Sequence, residues 1–328
     1  MLLRLAQQLV TIAALLAFVV GCSSTPQTQS LIHNPPSSLN NQLTKQLNVP
    51  FFAQQDYFCG PTTLAEIFNY YGHSTTPEQV APTVFLPKRQ GSLQIEMTAA
   101  TRKNGLLAYS VNGSLEQLVQ LVHDNIPVIV LQNLSVEWQP LWHYAVVIGF
   151  DIPRKKIIMH SGTNQARAVD MAVFERTWRR ADYWLLAPLT IEKNSQALEP
   201  LTYLTAAHDF SKVKQHSHAV NFLQQAIINW PDYWLSYFML ANHYLQQQQP
   251  ELALKWFSQG LEYGKTHTDY LNNYAYTLSQ LGCHKQAVET IEQALLLKPN
   301  DTSLTSSYQE ILSASKSVLS DVASKKCH

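Results

Sequence analysis

The chain has 328 residues, with 23 basic and 23 acidic side chains and a formal net charge of zero at pH 7. That balance, with no basic run, excludes the electrostatic footprint of a nucleic-acid partner. Four cysteines are too few and too scattered for a metal site or a disulfide framework.

Residues 1–21 read as a targeting segment. Arg4 gives a short positive start, and Val10–Val20 is an apolar stretch too short for a comfortable transmembrane helix. The stretch ends Val19-Val20-Gly21-Cys22, which resembles the bacterial lipoprotein cleavage box. The resemblance implies cleavage before Cys22, a diacylglycerol on its sulfur and an acylated amino group, together a stable anchor in a lipid bilayer. Ser23 follows the cysteine in place of Asp, which in such lipoproteins implies the outer membrane, facing the periplasm. Residues 22–46 are rich in Ser, Thr, Gln, Asn and Pro and are expected to form a disordered tether. About 280 residues remain, room for two domains.

The stretch Val49–Ala65 reads as an extended segment, a turn carrying Cys59, and a helix start. Pro61 suits a first helical turn, where no backbone donor is needed. Leu64, Ile67, Phe68 and Tyr71 mark one apolar helix face, and Gly72 follows as a C-terminal stop. At a helix N-terminus the unpaired N–H groups and the positive dipole end stabilise an anion, so the Cys59 thiol is expected to have a lowered pKa. A helix is predicted from Ser92 to about Lys103, with Gly105 as its stop, and a capping box at Ser114–Gln117 predicts another to about His123. Val128–Leu131, Tyr144–Phe150 and Ile157–Met159 are predicted strands, with a turn around Asp151, Pro153 and Arg154. Phe174–Arg180 is a predicted helix and Tyr183–Leu189 a closing strand.

Within residues 47–190, Gln54 stands five positions before Cys59-Gly60, and His143 opens the strand His-Tyr-Ala-Val-Val-Ile-Gly-Phe-Asp. This pattern resembles the papain-like double-glycine peptidases, the family that processes bacteriocin leaders. The resemblance implies an α+β papain-like cysteine peptidase domain: Cys59 as nucleophile, His143 as base, and Gln54 with the Cys59 N–H as oxyanion donors. It implies a peptide or protein substrate, no cofactor and no metal. The family's acidic orienter is missing, because its position falls near Ser161; Ser161, Asn164 or a backbone carbonyl remain as candidates to hold the imidazole. Trp138 and Trp142 are either core or a wall of the substrate groove, and His160 and His73 are expected to be structural or exposed. The alternatives to hydrolysis are an inactive fold kept as an envelope scaffold, and acyl transfer through the same thioester.

The rest of the chain repeats. Ala207, Ala241 and Ala275 are spaced 34 apart, as are Ala219, Ala253 and Ala287. Phe210, Tyr244 and Leu278 keep the same period, as do Leu223, Phe257 and Ile291. Small residues where paired helices touch, at this period, give the tetratricopeptide signature. Three units over about 200–301 are expected, an all-α domain for a protein partner, then a C-terminal capping helix and tail over 302–328. A disulfide between Cys283 and Cys327 is not expected.

Overall fold

The computed structural model describes residues 25–318. The expected targeting segment, Cys22 and Cys327 lie outside them. The chain divides into two units: residues before 105, 110–188 and 195–197 in the first, and 105–109, 189–194 and 198 onward in the second.

The first unit is built on an antiparallel sheet. Its strands are β1 (Thr44–Gln46), β2 (Leu107–Asn112, of which 110–112 fall in this unit), β3 (Val128–Asn133), β4 (Trp142–Asp151), β5 (Lys156–Ser161), β6 (Asn164–Asp170) and β7 (Trp184–Leu189, of which 184–188 do). The order across the sheet is β2-β7-β3-β4-β5-β6, with β1 added to β4. β4 is the centre, and Tyr144–Phe150 is buried throughout, as its unbroken apolar run requires of a strand covered on both faces. β3 pairs with Trp142–Val147, and β1 takes over the same edge at Gly149–Asp151. A Cβ on Gly149 would stand 2.5 Å from the Lys45 carbonyl oxygen, so the handover needs glycine.

Among the described residues six α-helices belong to this unit: α1 (Pro26–His33), α2 (Cys59–Tyr70), α3 (Pro77–Val84), α4 (Gln94–Lys103), α5 (Leu115–His123) and α6 (Met171–Arg179). α2 packs on β4 and α6 on β3. The α5 start has half of the expected capping box: Ser114 Oγ accepts from Gln117 N at 3.0 Å, while the Gln117 side chain donates to the Ala197 carbonyl instead.

The expected tether is corrected over residues 25–46, which are folded. Leu31 and Leu39 are buried in the core. Gln27 N and Thr28 N, in the first turn of α1, donate to the buried Glu175 carboxylate at 3.2 and 2.7 Å. A polar composition hid two apolar anchors and a helix N-terminus shaped to receive an anion.

The second unit is a series of antiparallel helix pairs: α7 (Pro200–Lys212) with α8 (His216–Asn229), α9 (Trp234–Gln246) with α10 (Pro250–Gly264), and α11 (Thr268–Gln280) with α12 (His284–Leu297). Ala207, Ala241 and Ala275 sit in the first helix of each pair, Ala219, Ala253 and Ala287 in the second, and all six are fully buried. Gly260 and Gly264 serve the same close packing. A Cβ at either would lie 2.5 Å from the Tyr237 or Tyr270 side chain. Trp234 stacks on His267 with ring centroids 4.0 Å apart, so this aromatic packs between pairs. Helix α13 (Thr302–Val318) follows, its first turn capped by Asp301, which accepts from Ser303 N and Leu304 N. Cys283 is disulfide-bonded.

Candidate active site

Cys59 is the first residue of α2 and half-buried. The turn before it is tight: Phe58 N donates to Gln55 O at 3.1 Å, and Tyr57 takes a left-handed φ of 65°. Gly60 is obligatory in this packing, because a Cβ there would collide with the Ser92 side chain and lie 3.2 Å from Met97 Sδ. The backbone N–H groups of Tyr144, Gly60 and Cys59 itself are turned toward the sulfur and favour its thiolate. Tyr144 follows His143, so the helix N-terminus and the head of β4 meet at the sulfur. The expected lowering of the thiol pKa is corrected: burial outweighs the three N–H groups and pushes the thiol up.

His143 is half-buried near the start of β4. Its Nε2 lies 3.0 Å from Ser161 Oγ, at the end of β5. With the hydroxyl accepting from Nε2–H, the lone pair sits on Nδ1. Burial first, and the positive charge of Arg167 on β6 second, pull the imidazole down to about 4. Both groups therefore rest uncharged near neutral pH. Of the candidate orienters, Ser161 meets the imidazole. Asn164 does not: its Nδ2 lies 3.5 Å from the Ser161 carbonyl oxygen.

Gln54 joins the same place through its backbone, its N–H donating to Gly162 O at 3.1 Å in the β5–β6 turn, one residue from Ser161. The segment leading to it is held at two further points. His160 Nδ1 accepts from Ala166 N at 3.0 Å, which leaves Nε2–H to donate to Val49 O, also at 3.0 Å. Phe52 N donates to Glu66 Oε1 at 3.1 Å. Glu66 lies on α2 two turns after Cys59, 1% exposed, and burial pushes its carboxyl up to about 8. So His160 is structural, as its expected role has it. Glu66 and Arg167 carry no sequence signal of their role. Glu66 reads as an ordinary polar helix position, and Arg167 sits in a strand without apolar alternation. Trp138 and Trp142 are exposed and not core. Among the described residues no group of three His, Cys, Asp or Glu side chains is placed to hold a metal ion.

Residues 46–184 match the model of the Peptidase_C39 like family, and residues 268–301 that of the tetratricopeptide repeat. No curated protein matches the chain. Solved structures similar to it include the first tetratricopeptide domain of human RPAP3, 15% identical over 38% of this chain and 97% of that one, with a TM-score of 0.35. The Arabidopsis OM64 tetratricopeptide domain is 19% identical over 34% and 93% of the two chains, with a TM-score of 0.31. The MamA protein is 14% identical over 37% and 68%, with a TM-score of 0.32. The chain thus combines an α+β domain like those of the Peptidase_C39 like family with a C-terminal tetratricopeptide region.

Proposed function

We propose that the first unit is a cysteine peptidase acting on a peptide or protein, in a protein anchored to the bacterial envelope by lipid on Cys22. The observation that carries the reading is the hydrogen bond between His143 and Ser161 beside a cysteine whose sulfur lies against the Tyr144 N–H. Because thiol and imidazole rest neutral, attack and proton transfer are coupled. His143 Nδ1 takes the thiol proton as sulfur bonds to the carbonyl carbon, and the carbonyl electrons move to oxygen. The Gln54 amide and the Cys59 N–H hold that oxyanion. Collapse expels the amine, which leaves with the proton from His143; water, deprotonated by His143, then releases the acyl group from sulfur.

Cleavage of a peptide library by wild type and Cys59→Ala tests this. Turnover lost in the variant supports it, and equal turnover or none in either protein refutes it. The neutral resting pair favours one second reading, a fold kept for binding. That reading predicts that Cys59→Ser recovers the same partners and leaves cells unchanged. The disulfide at Cys283 supports an oxidising compartment, in keeping with the periplasmic face of the outer membrane. The tetratricopeptide region would recruit a protein partner, which cross-linking in cells with and without residues 198–318 would reveal. Mass spectrometry of the peptide bearing Cys22 tests the anchor.

A further inference from the structure

The loop between β3 and β4, just ahead of His143, holds apolar side chains in water. Trp138 is 82% exposed, Leu141 60%, Trp142 51%, Leu134 45% and Val136 43%. The loop is built rigidly. Asn133, 1% exposed, accepts through Oδ1 from Ser135 N and Leu141 N at 3.0 and 2.9 Å. Leu134 N donates to Leu141 O at 2.9 Å, and Gln139 N to Val136 O at 3.2 Å, which puts Trp138 at the tip of a tight turn. Arg180 Nη1 donates to Asn133 O and ties the base of the loop to the end of α6. The result is a convex, ordered knob, and one apolar loop of this kind marks an interaction site.

The first described residues lie at the same end of the sheet. β3 runs toward this loop and β7 runs antiparallel to it, so Tyr183, just before β7, is at the loop end. Tyr183 O accepts from Gly113 N, two residues before α5, and Leu115 N at the α5 start donates to Gln27 Oε1. From there the chain descends along α5: Ser38 Oγ bonds Gln120, and Lys45 Nζ bonds the His123 carbonyl at the far end. Thr25, the first described residue, therefore lies at the end that carries the knob, Cys59 and His143. Cys22 is three residues before it in the sequence, a reach of about 10 Å.

We propose that the β3–β4 loop is a second membrane contact, with Trp138, Leu141 and Trp142 seated in the interface of the bilayer that holds Cys22. This rests on the anchoring reading given above. A convex tip suits a fluid lipid surface, whereas a peptide side chain needs a concavity. Tryptophan, apolar in body with one N–H donor, belongs at the headgroup boundary. The arrangement aims the mouth of the Cys59 site at the membrane, so the substrate class would be peptide segments lying close to the bilayer.

The test uses the full lipidated protein in vesicles of phosphatidylethanolamine and phosphatidylglycerol, with and without acyl chains brominated just below the headgroup. Wild-type tryptophan emission should be quenched by the brominated lipid, and a Trp138→Phe/Trp142→Phe protein should lose that quenching. Amide exchange of residues 134–141 in the wild type should slow on vesicles, a readout that needs no variant. Equal quenching in both proteins, no quenching, or exchange unchanged by vesicles overturns the proposal. So does protection of the loop by a peptide or by a second copy of the chain in place of lipid. The mass of the Cys22 peptide and sedimentation with vesicles read the anchor separately, so an anchored protein with an unquenched loop refutes this inference alone.

Discussion

Replacing Glu66 by Gln keeps an acceptor for the Phe52 N–H and removes a titrating group from the core. In the fold the carboxyl is raised from 4.5 to about 8 by burial. A folded value above the unfolded one means that the proton stabilises the fold fully below about pH 4.5, and that this stability is lost as pH rises through about 8. A shift of about 3.5 pH units at 1.36 kcal/mol each sets a ceiling of about 5 kcal/mol on the effect. The group that ionises is the one holding Phe52, so the loss should appear first as local opening of residues 49–56, the stretch that carries Gln54. Hydrogen exchange of that segment, wild type against Glu66→Gln at matched pH, reads it directly. The ratio should be near one at about pH 4. At about pH 9 the wild type should exchange at least tenfold faster, the equivalent of about 1.4 kcal/mol of opening. His143 does not confuse the reading: its folded value is lowered to about 4 from 6.5, so its contribution changes between about pH 6.5 and 4, but equally in both proteins, and it cancels in the ratio. A ratio that stays within about twofold across the range would show that the Glu66 proton does not hold the segment, and the reasoning fails.

Ser161→Ala removes the partner of His143 Nε2 and should slow acylation of Cys59 by an activated ester by about five- to thirtyfold, the effect of about 1–2 kcal/mol. Ser161→Asp places the missing acid against the imidazole and should move the acidic limb of the rate profile upward from about 4, as a pH series would show. Because the Cys59 thiol is pushed up, its alkylation by iodoacetamide should be slower than that of a free thiol at neutral pH and still climbing above about pH 8.5, followed by mass spectrometry. Gly264→Ala forces a methyl into the Tyr270 ring and should destabilise the helical repeats by about 1–3 kcal/mol, read as a lower thermal midpoint by circular dichroism.

What the sequence disclosed depended on how local its signals were. The repeats were legible because six alanines keep one period and each lies where helices touch. Cys59 and the strand of His143 were legible because each sits in a short motif next to turn chemistry. β6 was missed because Asn164–Asp170 is an exposed edge strand with little apolar alternation. The thiol pKa was misjudged because the N-terminal N–H groups are a local feature, while the burial that overrides them is made by distant residues. Ser161 was on the page only as one of several candidates. What selects it is the β4–β5 pairing, which brings the end of β5 beside the head of β4.

The family match begins at residue 46, but the described residues before it, from Thr25 on, are already part of the fold. A protein trimmed back to the matched segment would lose Leu31 and Leu39 from its interior and strip the amide donors from a carboxylate buried on α6. Such a truncation should come out of expression aggregated or inactive, for want of a scaffold rather than of chemistry. Boundaries for recombinant work, and for any shuffling of this module between proteins, therefore belong upstream of Thr25.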